Sequence, residues 1–188
     1  KSYRQSLSHL DPITRRQIEL GDWSARHSGS IFKREWFDIL DTCPREALRR
    51  RVRFWDLAGT VEDGTNDPDY TVGALLGFHE GMWFLIDIQR FRATPKGNED
   101  RIRQTAKIDG VEVPLRIEQE PGASGKSVID HYARNILPGY NVLGKPSKRD
   151  KLTRAGPFSS AAEAGNFKLV NGAWLTASPR SPNRRSTI

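Results

Sequence analysis

Arg51-Val52-Arg53-Phe54-Trp55-Asp56 alternates polar and apolar side chains, the pattern of a half-buried β-strand. An acidic, turn-rich loop from Glu62 to Asp69 leads to two further apolar runs, Tyr70 to Phe78 and Met82 to Phe91. His79-Glu80-Gly81 lies between them and predicts a hairpin. Thr94-Pro95 then opens a helix of about 14 residues, which Asp109-Gly110 closes.

Working outward, Asp11-Pro12, Ile13 to Leu20 and Gly21 read as a capped helix. A short helix is expected from Arg34 to Leu40, before Pro44 breaks the chain. Downstream, Val113 to Glu120 is a fourth strand, and a helix runs from Gly122 through Leu137 to the stop at Pro138-Gly139. Tyr140 to Leu143 is a fifth strand, a helix begins near Asp150, and Phe167 to Val170 is a last short strand. From Thr176 onward Ser, Pro and Arg dominate without apolar pattern, so disorder is expected there. Strands close in sequence pair antiparallel, and those separated by helices pair parallel. The fold class is therefore α/β: a mixed sheet, antiparallel over its first three strands and parallel over the later ones, flanked by helices.

With 188 residues the chain suits one domain with a real core. No run of apolar residues is long enough for a membrane span, and Lys1-Ser2-Tyr3-Arg4 has no apolar stretch behind it, so no signal peptide is expected. Cys43 is the only cysteine, which excludes an internal disulfide and a multi-cysteine zinc site and fits a reducing compartment. The net charge of +7 favours solubility first and anionic partners second. Arg45, Arg49, Arg50, Arg51 and Arg53 form one basic run; Lys145, Lys148, Arg149, Lys151 and Arg154 form another. Each reads either as a solvated helix face or as a nucleic-acid footprint.

Asp56 carries the most chemical information. By alternation it shares a face with Phe54 and Val52, where a carboxylate is costly to bury unless it is paired or binds a metal. The plainer reading is a strand-end aspartate that caps the next turn. Glu118 and Glu120 are two apart on the predicted fourth strand and so share a face. Carboxylates at neighbouring strand tips supply the oxygen ligands that Mg²⁺ and Mn²⁺ take. Two such ions about 3.5–4 Å apart serve phosphodiester hydrolysis, one activating water and the other stabilising the leaving oxygen.

Gly122-Ala-Ser-Gly125-Lys126-Ser127 follows a strand and opens a helix, as a phosphate cradle does. Yet Glu120 stands where a P-loop's first glycine belongs, and a carboxylate there repels phosphate. A nucleotide site is thus the weaker reading, and a glycine-rich turn beside DNA phosphates, with Lys126 as a contact, the stronger. Glu62, Asp63, Asp67 and Asp69 lack EF-hand spacing and read as a solvated turn. His9, His27, His79 and His131 show no metal-ligand spacing, and His131 beside Asp130 reads as a helix-surface pair.

Several blocks in order resemble phage DNA-packaging terminase large subunits. They are Leu20-Gly-Asp-Trp23, Phe54-Trp-Asp56-Leu-Ala, Asp69-Tyr-Thr-Val-Gly73, Ile117-Glu-Gln-Glu-Pro-Gly-Ala-Ser-Gly125, Leu137-Pro-Gly-Tyr140, Asp150-Lys-Leu-Thr-Arg-Ala155 and Gly165-Asn-Phe-Lys-Leu-Val170. The resemblance covers about residues 10–174. It implies a ribonuclease H-like nuclease domain over residues 24–175, with residues 1–23 the end of a linker from an ATPase domain and 176–188 a disordered tail. It implies an endonuclease that cuts concatemeric double-stranded DNA with Mg²⁺ or Mn²⁺, two ions being expected. Asp56 matches the family's first-strand aspartate, and Glu118 the later acidic residue, with Glu120 as the close alternative. Lys151 and Arg154, like Lys126, fall where DNA phosphates are contacted. The implied partners are the ATPase domain, the portal and the small terminase subunit, in the cytoplasm of a bacterial host and without a membrane. One departure stands out: the family continues into a helix bearing a third acidic ligand, whereas no acidic residue follows Glu163 here. The alternative expectation is a truncated, prophage-remnant DNA-binding or assembly module with impaired catalysis, in which Asp130 or water replaces the third ligand.

Overall fold

A computed structural model describes residues 32–58, 69–146 and 151–176. The helix expected over 13–20, the acidic loop and the tail lie outside the described residues, apart from Asp69 at the loop's end and Thr176 at the tail's start, which closes a short helix instead. The centre is a seven-stranded sheet in the order β1-β7-β4-β3-β2-β5-β6. Its strands are β1 (Asp38–Leu40), β2 (Arg51–Asp56), β3 (Thr71–His79), β4 (Met82–Phe91), β5 (Leu115–Gln119), β6 (Val142–Pro146) and β7 (Phe167–Val170). The helices are α1 (Arg45–Leu48), α2 (Pro95–Asp109), α3 (Ala123–His131), α4 (Lys151–Glu163) and α5 (Ala173–Thr176).

β2, β3 and β4 pair antiparallel, through the expected hairpin at Glu80-Gly81. β5 joins β2 in parallel and β6 joins β5 in parallel. At the other end β7 runs parallel to β4, and β1 parallel to β7. The mixed sheet is as expected, with one addition: Arg34 to Leu40 is not a helix. It is a single 3₁₀ turn, Arg34–Trp36, followed by the edge strand β1. Three residues hold as a strand here because β7 offers them a ladder.

α2 begins where the sequence places it. The Thr94 hydroxyl accepts from the Gly97 N–H at 3.2 Å, Pro95 takes the first turn, and Gly110 leaves the helix at φ +102°. Its inner face sets Ile102 and Ala106 against Trp55, Phe91, Leu115 and Ile117, and Ile129 of α3 packs on the same cluster. Fully burying one such aliphatic or aromatic side chain contributes about 1.5–3 kcal/mol. Gly73 is what admits Trp55: a Cβ at Gly73 would lie 2.4 Å from the indole. The helical run expected to reach Leu137 changes pitch midway, with α3 ending at His131 and a π-helical turn continuing over Tyr132–Ile136.

The face of β2 that is buried deepest is not the one its apolar residues suggest. Trp55 is fully buried with Arg53, while Val52 and Phe54 on the other face are half-buried. Arg53 tolerates this because its guanidinium donates to both Asp109 oxygens at 2.7 and 2.8 Å, to Asp87 at 2.8 Å and to the Gly73 carbonyl at 3.3 Å. α1, α2 and α3 cover this face. α4 lies on the other, where Phe158 packs its ring against Phe167 of β7 at 4.3 Å.

Candidate active site

The register sets the candidate residues side by side. Trp55 of β2 pairs with Ile117 of β5, so one further step along both strands brings Asp56 beside Glu118. Both belong to the face opposite Trp55 and Ile117, at the C-terminal tips of adjacent parallel strands. Such tips are where open α/β sheets place their ligands. Across the same row Asp56 pairs with Val72 of β3, Val72 with Arg90 of β4, and Glu118 with Lys145 of β6. Two carboxylates thus stand at the middle of a row that ends in a cation on either side.

Asp56 is exposed and Glu118 half-buried. Glu118 is held from above: Arg154 of α4 donates from Nη1 to Oε1 at 3.1 Å. The chain beyond Asp56 is also fixed, since the fully buried Thr71 accepts from the Ala58 N–H at 3.1 Å. Glu120 does not share Glu118's strand face as expected. β5 ends at Gln119, and Glu120 is exposed in the turn that follows. That turn closes tightly on α3, because a Cβ on Gly125 would lie 2.0 Å from the Glu120 carbonyl oxygen. The glycine-rich segment therefore serves close backbone approach. Lys126 projects exposed from the first turns of α3. Lys151 is the first residue of α4, one helical turn before Arg154.

On the other side of these tips lies a cavity of about 520 Å³. Glu118 and Glu120 line it together with Glu99, Val128, His131 and Tyr132. His131 does not pair with Asp130. Its Nε2 lies 2.9 Å from Glu99 and its Nδ1 3.1 Å from the Asn135 amide, while Asp130 pairs with Arg134 at 3.4 Å. The π-helical turn supplies Asn135 and Arg134, a placement that helical periodicity from sequence does not foretell. Burial, and then the nearby Glu99 carboxylate, push the Tyr132 hydroxyl up to about 12. Asp130 rides on α3, across the sheet from Asp56, and is not brought to the acidic pair. Among the described residues no group of three or more Asp, Glu, His or Cys could hold a metal ion, so the described site is a two-carboxylate one.

Arg90 and Arg92 are absent from the candidates that sequence alone suggests. Tyr70 packs against both, with the Arg90 guanidinium carbon 3.4 Å and that of Arg92 4.1 Å from the ring centroid. A signal was present in the alternation of Arg90-Phe91-Arg92 at a strand end, which sends both arginines to one face.

This chain belongs to the terminase RNaseH-like domain family, whose model matches residues 53–179. Solved structures agree in fold. One is the large terminase from a thermophilic bacteriophage, 14% identical with a TM-score of 0.58 over 91% of this chain and 42% of that one. Another is the P22 large terminase nuclease domain, 14% identical with a TM-score of 0.56 over 77% of this chain and 73% of that one. The chain thus spans less than half the length of the thermophilic phage's large terminase. No curated protein sequence matches it. The ribonuclease H-like expectation is met by the family and by the sheet, and no described helix is long and apolar enough to cross a membrane.

Proposed function

We propose that this domain is a metal-dependent DNA endonuclease of a phage terminase large subunit, cutting concatemeric double-stranded DNA. The observation that carries the reading is the placement of Asp56 and Glu118 on one face, at neighbouring strand tips, within a terminase RNaseH-like fold. Their oxygens are the hard donors that Mg²⁺ and Mn²⁺ take, and they fit such ions in type. They are too few to close a site, which leaves positions to water, substrate phosphate or further residues. Asp56 and Glu118 would hold two ions, with Glu120 at the adjoining turn. Bound there, the ions would acidify the attacking water and offset charge on the leaving oxygen. The chain's own part is to orient. Thr71 fixes the backbone after Asp56, Arg154 fixes Glu118, and Lys126, Lys151 and Arg154 would meet DNA phosphates. Phosphate contacts carry little sequence information, so weak sequence preference follows.

In the whole protein this domain would follow an ATPase domain, with residues 1–23 closing the linker, and would work with the portal and small subunit in the host cytoplasm. The test is nicking of supercoiled plasmid, which should proceed with Mn²⁺ or Mg²⁺ and stop with EDTA. A second reading is a DNA-binding or assembly module with impaired catalysis, and the two-carboxylate count among the described residues favours it. It predicts DNA binding without metal-dependent nicking.

A further inference from the structure

We infer that the cavity between the tips of β2 and β5 and the helices α2 and α3 seats one unpaired base of the DNA being cut, an inference that rests on the nuclease reading. Two buried polar side chains that line it carry the argument. Asn98 of α2 is only 9% exposed, and among the described residues its amide oxygen is buried with no hydrogen bond. Tyr132 is 7% exposed, and among the described residues its hydroxyl makes no hydrogen bond. A buried polar group is costly unless it finds a partner, and a ligand in the cavity supplies one to each.

The rest of the lining narrows the ligand. Leu57, Ala93 and Val128 give the cavity apolar walls, which suit the faces of a flat ring. The Asn98 amide carries a donor and an acceptor side by side, the pair that matches the edge of a base. A phosphate is disfavoured, because Glu99, Glu118 and Glu120 line the same space. A cation is not demanded either. Glu99 already faces His131 at 2.9 Å and Glu118 faces Arg154 at 3.1 Å. Among the described residues no group of three could hold a metal ion. The unmet groups are thus neutral, and a base is neutral, flat and edged with donors and acceptors.

Position supplies the purpose. Leu57 follows Asp56 directly, and Glu118 lines the cavity itself. A base seated there leaves its own phosphate at the strand tips, where the two carboxylates stand. Seating the base therefore fixes the phosphate to be attacked against Asp56 and Glu118. Every base offers a donor–acceptor edge once unpaired, and unstacking costs least where the duplex is already distorted. The cavity accordingly selects distortion rather than sequence.

The test is fluorescence anisotropy of the full chain in EDTA at low salt with three labelled duplexes. One is fully paired, one carries a single bulged adenine, and one carries an abasic site at the same bulge. The adenine bulge spares the cost of unstacking, and the abasic duplex keeps the same backbone without the base. Wild type should bind the adenine bulge about fivefold more tightly than the abasic one, the worth of about one hydrogen bond. Asn98→Ala should bring that ratio towards one and leave affinity for the paired duplex unchanged. Should Asn98→Ala fail to fold, Tyr132→Phe, which keeps the ring and removes only the hydroxyl, should lower the ratio instead. If wild type binds all three duplexes equally, the base seat is overturned while the nuclease reading stands on metal-dependent nicking. An undiminished ratio in the folded variant also overturns the seat. Absence of binding to any of the three duplexes by wild type would remove both readings.

Discussion

Arg154 of α4 donates to Glu118 of β5 at 3.1 Å, joining a helix on one face of the sheet to the strand tip beside Asp56. The pair is only part-exposed, so it is screened less than a surface pair, yet its worth stays on the order of 1 kcal/mol. It holds Glu118 in place, and it competes with any metal cation that arrives. Arg154→Gln should therefore bind Mn²⁺ more tightly in the absence of DNA, by roughly fivefold for that energy. The same variant should bind duplex more weakly. Calorimetry with Mn²⁺ and anisotropy with DNA read the two effects separately, and a weaker Mn²⁺ affinity in the variant would count against the competition.

The Arg53–Asp109 pair fastens β2 to the end of α2. Asp109→Ala leaves the guanidinium buried with only Asp87 to balance it, and breaking such a pair costs about 3–5 kcal/mol. Urea unfolding should show a loss of that size. Arg53→Met combined with Asp109→Leu should recover much of it, because a buried ion pair and an apolar pair of similar volume are often close in stability.

Gly125 lets α3 start against the Glu120 carbonyl. Gly125→Ala demands a backbone shift at that turn, since the obstacle is a main-chain oxygen. Overpacking of this kind costs about 1–3 kcal/mol. The turn carries Glu120 and follows Glu118 directly, so the nicking rate should fall as well. A variant that keeps wild-type stability and rate would show that the turn is slack.

Tyr132 carries the site's largest resolved shift, up to about 12 from an ordinary value of 10. The sign follows from the buried neutral form. The folded protein holds this proton above the pH where the unfolded chain releases it. Its contribution is present in full below about pH 10 and is lost as pH rises towards about 12. Denaturation midpoints measured across that window should fall in wild type, and Tyr132→Phe should lack that share of the fall. Identical pH profiles for the two proteins would refute the assignment.

Much of this fold was legible in the chain because its signals are local. β2, β3, β4 and α2 follow from alternation, the Glu80-Gly81 turn and the Thr94-Pro95 start. β1 was not, since Asp38-Ile39-Leu40 has no pattern of its own and forms only by pairing with β7, far along the chain. Alternation in β2 also pointed to the wrong buried face. Arg53 reads as a solvent residue, and only Asp87 and Asp109, brought in from β4 and α2, make its burial tolerable. For the site, spacing within β5 suggested Glu118 with Glu120, but the strand ends one residue too soon. The pairing of Asp56 with Glu118 lies in the parallel register of β2 and β5, which no local pattern encodes. The Tyr70 stack was half visible, in the arginines that flank Phe91.

The central claim is that Asp56 works in DNA cleavage, and supercoiled plasmid tests it most directly. Wild type and Asp56→Ala are incubated with Mn²⁺, with Mg²⁺ and with EDTA, and nicked product is followed alongside duplex binding. The expected result is metal-dependent nicking by wild type and none by Asp56→Ala, with the variant still bound to DNA. Equal metal-dependent nicking by both proteins would contradict the claim.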